Sequence, residues 1–203
     1  MDMARRPVAA RGNALIQKLA SRLAASPVTP NQISLASVLF SALAAWTLHW
    51  RDGIGDLLAI VFIQARLICN VVDGLVAVEG GKKSALGPMF NEFPDRVSDS
   101  LVLVAAGYAC ALPGWGWLAA LLAVLTAYVR VFGGAMGFAQ DFRGPMAKQT
   151  RMHVISAGCF IGFLESLISH THYGLRVAVV LVVAGSAITC VTRTLAITRQ
   201  MHV

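Results

Sequence analysis

Charge is scarce in this chain. Acidic residues number 10 and basic residues 17 in 203 positions, and 57% of the sequence is hydrophobic. With a mean hydropathy of +0.67, that is too little charge to clothe an ordinary soluble domain, so the bilayer is the expected solvent. Cysteine is sparser still. Cys69, Cys110, Cys159 and Cys190 stand singly in apolar runs without CxxC spacing, which excludes a disulfide framework or a zinc site and leaves small core hydrophobes. The first thirty residues contain no unbroken apolar core ending at a small-residue cleavage site; a secretory signal peptide is not expected, and the N-terminus is expected to stay on the mature protein. Internal repeats and low-complexity tracts are missing too, so residues 1–203 are expected to form a single membrane domain. The net charge of +7 would suggest nucleic acid in a soluble protein. In a membrane chain it points to anionic lipid instead, and no nucleic-acid partner is expected.

What is present is a series of apolar runs long enough to span. A helix needs roughly twenty apolar residues to cross a bilayer, and six segments qualify: about 32–50, 56–79, 85–112, 115–139, 152–169 and 174–197. Polar or Gly/Pro punctuation separates them, at Trp50-Arg51-Asp52-Gly53, Glu79-Gly80-Gly81-Lys82-Lys83, Pro113-Gly114, Phe142-Arg143-Gly144-Pro145 and His170-Thr171-His172-Tyr173-Gly174. Before the first span, Leu15, Ile16, Leu19 and Leu23 form a helical stripe with Lys18 and Arg22 among them, which predicts an interfacial amphipathic helix over about 12–26. The fold class expected is therefore all-α, a polytopic integral membrane protein of six transmembrane helices preceded by that interfacial helix. Basic residues set its orientation. Arg5, Arg6, Arg11, Lys18, Arg22, Lys82, Lys83, Arg143, Lys148, Arg151, Arg193 and Arg199 fall on one side, against Arg51 and Arg176 on the other. Both termini are thus expected to face the cytoplasm from the inner membrane. The histidines (His49, His153, His170, His172, His202) sit mostly at span ends, and Glu165 is read as snorkelling toward the outer surface.

Ionisable groups inside spans are expensive and usually face a partner or a cavity. Here they gather in one region: Arg66, Asn70 and Asp73 in the second span, Asn91, Glu92, Asp95, Arg96 and Asp99 in the third, and Arg130 in the fourth. At about 100° per residue, Asn91, Asp95, Asp99 and Glu92 share one face of the third helix, and Asn70, Asp73 and Arg66 make a matching stripe on the second. The two helices run in opposite senses, so Asp73 and the Asn91 to Asp95 turn are expected at similar depth. Carboxylates converging from two helices repel unless a cation compensates them, and an all-oxygen donor set favours Mg²⁺, Mn²⁺ or Ca²⁺. The competing account is an ion-pair network in which Arg66, Arg96 and Arg130 neutralise Asp73, Asp95 and Asp99. Gly133-x3-Gly137 and Ala184-Gly185-Ser186-Ala187 are read as small-residue runs for close helix packing, with a homodimer as one outcome.

As a string, residues 70–95 run Asn70-x2-Asp73-Gly74-x2-Ala77-Val78-x8-Gly87-x3-Asn91-x3-Asp95. This resembles the signature of the CDP-alcohol phosphotransferase family, D-x2-D-G-x2-A-R-x8-G-x3-D-x3-D, with every gap preserved. Thr29-Pro30-Asn31 before the first span also looks like the family's entry. The resemblance implies two divalent ions, Mg²⁺ or Mn²⁺, held by the acids, a CDP headgroup against the glycine-bearing helices, and the last Asp as base on an acceptor alcohol. Carried over by position, Asp73, Asn70, Asn91, Glu92 and Asp95 become candidate metal ligands. Asn31, Asp73, Gly74, Ala77 and Gly87 become candidate nucleotide neighbours. The departures are Asn70, Val78 and Asn91, which stand where the family has Asp, Arg and Asp. Glu92 and Asp99 are placed to restore the lost charge, which makes Asp95 and Asp99 rival bases. Arg66, Arg96 and Arg130 are candidates to replace the missing arginine on phosphate oxygens, and Lys148 and Arg151 to contact phosphate on the donor or acceptor.

The expected function is transfer of a phosphatidyl or substituted phosphoryl group from a CDP-linked donor, CDP-diacylglycerol first among them, to an alcohol, with release of CMP. The alternatives are a non-catalytic relative that binds nucleotide-lipid or a membrane partner, and a small transporter, against which the missing inverted repeat argues.

Overall fold

The computed structural model describes residues 13–168, 171 and 173–201. Arg5, Arg6, Arg11, His170, His172 and His202 lie outside the described residues. Among the described residues seven helices follow one another: α1 (Ala14–Ala24), α2 (Pro30–Leu48), α3 (Gly53–Glu79), α4 (Gly87–Ala109), α5 (Pro113–Ala135), α6 (Lys148–Ser166) and α7 (Tyr173–Met201). Four of them, α2, α3, α5 and α7, are long and apolar enough to cross a membrane. The chain is accordingly a multi-pass membrane protein. The other two long helices, α4 and α6, fall short of that composition because they carry the charged residues of the site.

Local chemistry accounts for the helix ends. Thr29 and Gln32 close a capping box at α2, where Pro30 takes the first turn, and the Asp52 carboxylate accepts from the Gly55 N–H at 2.6 Å to start α3. The fourth span was expected to run to residue 139, but α5 stops at Ala135. Gly137 takes φ 87°, and the Phe138 N–H turns back to the Gly133 carbonyl at 3.1 Å, which ends the helix. The fifth begins four residues earlier than expected, at Lys148. Buried Met146, whose N–H donates to Thr189 Oγ1 at 3.0 Å, anchors that start on α7. Glu165 does not snorkel outward; its carboxylate accepts from the Gly174 N–H at 3.0 Å at the start of α7.

Burial is inverted relative to a water-soluble bundle. Leu121, Tyr128, Val177, Ile188 and Val191 stand exposed on α5 and α7, while Arg66, Arg151 and Asp99 are enclosed. Such a surface suits hydrocarbon. The amphipathic stripe of α1 divides: Ile16 and Leu23 pack with Ala20, Val72 and Val76 against the end of α3, and Leu15 and Leu19 face outward. Small residues bring backbones together. A Cβ at Gly107 would stand 2.5 Å from Gly116 Cα, and one at Gly158 would meet the Ala178 Cβ at the same distance. The two small-residue runs serve packing within the chain, since Gly133 lies under Ile197 and Gly185 under Met146. The result is α2 packed against both α3 and α4, with α6 against α3, α5 against α4, and α7 against α5 and α6. That brings the polar faces of α3, α4 and α6 together at one end of the bundle.

Candidate active site

The site is a ladder across three helices. Arg66 and Asn70 are one turn apart on α3, Asp99 and Asp95 one turn apart on the antiparallel α4, and Arg151 and Lys148 one turn apart on α6. On the deeper rung, Arg66 Nη2 donates to Asp99 Oδ1 at 2.6 Å and Arg151 Nη2 donates to Asp99 Oδ2 at 2.7 Å. All three are enclosed, and Arg151 also donates to Thr126 Oγ1 and to the Met146 carbonyl. On the next rung, Lys148 Nζ donates to Asp95 Oδ2. Placed with its amide oxygen toward that ammonium, Asn70 accepts from Lys148 Nζ at 3.1 Å and donates to Asp95 Oδ1 at 3.3 Å. Arg66 Nη2 reaches across to Asp95 Oδ1 at 3.8 Å and links the rungs.

Burial falls along α4 toward its start. Asp99 is 1% exposed and Asp95 5%, Glu92 is half-buried and Asn91 is exposed. Glu92 is gripped by Arg96, at 3.1 Å, and by Arg130 from α5, whose other arm donates to Gln140. Asp73 stands apart from the arginines. Its Oδ2 accepts from the Ser34 hydroxyl of α2 at 2.6 Å, and the field of Lys148 reaches it. Beside it, a Cβ added at Gly74 would meet nothing within 4 Å, and one at Gly87 would meet only the Ser84 hydroxyl, at 3.7 Å. Both glycines therefore border open space, Gly74 directly beside Asp73 and Gly87 at the start of α4, two turns before Asp95. Asn31 and Ala77 are half-buried, and Val78 is exposed.

The structure thus joins Arg66, Asn70, Asp95, Asp99, Lys148 and Arg151 in one network and puts Glu92, Arg96 and Arg130 in an adjoining one. Asp73 stays on the side of Gly74. Arg151 is not at an open mouth, as the later start expected for its helix suggested, but locked on Asp99. Three contributors were not singled out: Ser34, Gln140, and Arg193, which donates to the Arg143 and Thr126 carbonyls and holds α7 beside the site. A hollow of about 480 Å³, lined by residues including Gln140, Asp141, Arg143 and Arg199, lies off the ladder between the 139–143 loop and the end of α7, and shares with the cluster only Gln140.

The donor set decides what cation fits. Two acids of the four-acid signature survive, the amides at 70 and 91 are neutral, and an ammonium already stands between Asn70 and Asp95. Among the described residues no three His, Cys, Asp or Glu side chains come together as a metal site. These residues do not fit a pair of divalent ions.

No family model matches the chain. A curated relative, the archaetidylinositol phosphate synthase of Pyrococcus horikoshii, is 26% identical over 88 residues, 43% of this chain and 45% of the relative; the chain's match spans about half the length of that protein. Among solved structures, the phosphatidylinositol phosphate synthase of Mycobacterium tuberculosis with CDP-DAG bound superposes with a TM-score of 0.76 at 19% identity, covering 91% of this chain and 94% of that one. The same enzyme with manganese and citrate gives 0.75 at 20% identity over 90% and 88%. The fold is therefore shared nearly end to end. Both relatives are CDP-alcohol phosphotransferases, the family that residues 70–95 resemble.

Proposed function

We propose, taking this shared fold and signature spacing as the premise, that the chain transfers a phosphatidyl or related phosphoryl group from a CDP-linked lipid to an alcohol and releases CMP. The observation that carries this reading is that Asp73 on α3 and Asp95 on α4 lie close enough for the field of one to reach the other, with open space at Gly74 beside Asp73. The CDP-DAG in the mycobacterial structure supports a CDP-diacylglycerol donor. In this reading α4 and α6 complete six spans in the inner membrane, and the site opens to the cytoplasm, as the basic loops suggest. A polar helix is tolerated at that depth when its charges face a protein-lined cavity.

The chemistry is an in-line displacement at the phosphatidyl phosphorus. The acceptor oxygen forms the new P–O bond, the bond to the CMP phosphate breaks with its electron pair leaving on CMP, and the hydroxyl proton passes to a carboxylate. Asp95 is the carboxylate for that proton on grounds of depth: both carboxyls are held at both oxygens, but Asp95 lies one turn nearer the exposed start of α4 than Asp99. Asn70 and Lys148 fix the Asp95 carboxyl in place. Arg96, whose guanidinium lies 3.7 Å from Asp95 and is partly open, is placed to meet a diphosphate oxygen. The manganese in the mycobacterial structure supports Mg²⁺ or Mn²⁺ as cofactor. With the donor set found here, one ion on the Asp73 side is what the chain would hold, to neutralise charge on the diphosphate.

The second reading is a non-catalytic relative that binds nucleotide-lipid, favoured by the Lys148 ammonium on the proposed base. Purified protein in nanodiscs, given radiolabelled CDP-diacylglycerol with Mg²⁺ or Mn²⁺ and a panel of alcohols that includes inositol phosphate, separates the two. The transferase reading expects acceptor-dependent CMP release that Asp95→Asn abolishes. Donor binding without turnover across the panel would establish the second reading.

A further inference from the structure

We infer that Lys148 is a built-in cation that occupies the place of one of the divalent ions at this site, so that the chain holds a single metal at most. The inference rests on the transferase reading for the identity of the site, but not for the count of ions. Three observations converge on it. The first is position: Lys148 Nζ contacts both Asp95 Oδ2 and the Asn70 amide oxygen, one residue from each of the two helices that carry the signature. The second is charge. The asparagines at 70 and 91 remove two negative charges from the four-acid pattern, and the ammonium cancels a third at Asp95, which leaves Asp73 as the one of the two remaining acids without a salt bridge. The third is register. Lys148 sits one turn before Arg151 on α6, as Asp95 sits one turn before Asp99 on α4, so the same face of α6 places a cation on each acid.

A divalent ion needs several oxygen ligands and repels an ammonium at contact distance. The Asp95 carboxylate therefore has either the lysine or a metal as its neighbour. Asn70 fits the lysine: its neutral oxygen accepts one N–H from the ammonium while its N–H₂ donates to Asp95. An Asp in its place could not make that second contact. The loss of the acid and the presence of the lysine thus form one substitution of cation chemistry, from metal to ammonium. The diphosphate that binds here would meet a fixed N–H donor on the α6 side and an exchangeable ion only near Asp73.

Counting Mn²⁺ bound to the protein in nanodiscs, from the loss of the free-ion paramagnetic resonance signal, tests this without any need for turnover. Wild type is expected to bind no more than one ion per chain, and Lys148→Arg the same number. Lys148→Gln, and more strongly Lys148→Gln combined with Asn70→Asp and Asn91→Asp, is expected to take up one further ion or to tighten binding by about tenfold or more. Two equivalent ions on the wild-type protein would overturn the inference, and this result needs no variant to fold. So would an unchanged count and affinity in a folded Lys148→Gln. Failure of every form to bind or turn over CDP-diacylglycerol would remove the transferase reading, while the ion count would still decide the role of Lys148.

Discussion

Replacing Asp99 by Asn should cripple the protein's stability rather than its proton chemistry. The carboxylate lies between two guanidiniums at 2.6 and 2.7 Å, with side-chain exposures of 0–2% for all three partners. No solvent is there to screen the charges left behind. Removing one member of such a buried group costs about 3–5 kcal/mol, and the amide, which keeps one acceptor oxygen, should fall at the low end, about 3 kcal/mol. For a chain of this length a loss of that size lowers the melting temperature by about 6–12 °C. Tryptophan fluorescence during a thermal ramp in one detergent reads the shift directly. The companion variant, Asp99→Leu with Arg66→Met and Arg151→Met, should recover most of the loss, because deleting the whole group leaves no stranded charge. An Asp99→Asn protein that melts within about 2 °C of wild type yet releases no CMP would refute the reasoning and move the proton-accepting role from Asp95 to Asp99.

Gly74→Ala should raise the melting temperature slightly, since alanine is favoured over glycine in a helix by up to about 1 kcal/mol, and its methyl meets no protein atom; the KM for the CDP donor should rise several-fold if the donor lies there. Gly107→Val has the opposite character. Its Cβ would fall 2.5 Å from Gly116 Cα, so α4 and α5 must part, with a stability loss of about 1–3 kcal/mol or more visible in the same thermal ramp. Ser34→Ala removes the hydroxyl that donates to Asp73 Oδ2 and should cost about 1–3 kcal/mol, together with weaker Mn²⁺ binding in the resonance titration.

Much of this arrangement was legible because helices impose a period. Arg66, Asn70 and Asp73 recur at helical spacing, as do Asp95 and Asp99, and a short connection forces α3 and α4 to run antiparallel, so a meeting of two polar stripes follows from the sequence, while the partners on each rung do not. The third side of the ladder was harder to see. Lys148 reaches Asp95 across more than fifty positions, and as a residue in a basic loop it reads equally as a topology signal and as a phosphate contact; its place beside Asp95 emerges only when the start of α6 moves back to put it on the helix. Ser34 was hidden for another reason. It belongs to a stripe with Ser37 and Ser41, whose hydroxyls merely bond carbonyls of the preceding turn at 2.6 and 2.8 Å. Nothing local marks the one serine that also turns to a carboxylate. Glu165 shows the same limit, since a cap on the next helix depends on where the chain re-enters the bundle.

The most direct measurement is to map where a CDP-lipid sits. A photoreactive CDP-diacylglycerol, cross-linked in nanodiscs and read by mass spectrometry, should label peptides from 70–78 and 87–96, and excess CDP should protect them. Labelling that ignores CDP, or that falls on the lipid-facing sides of α5 and α7, would contradict the account.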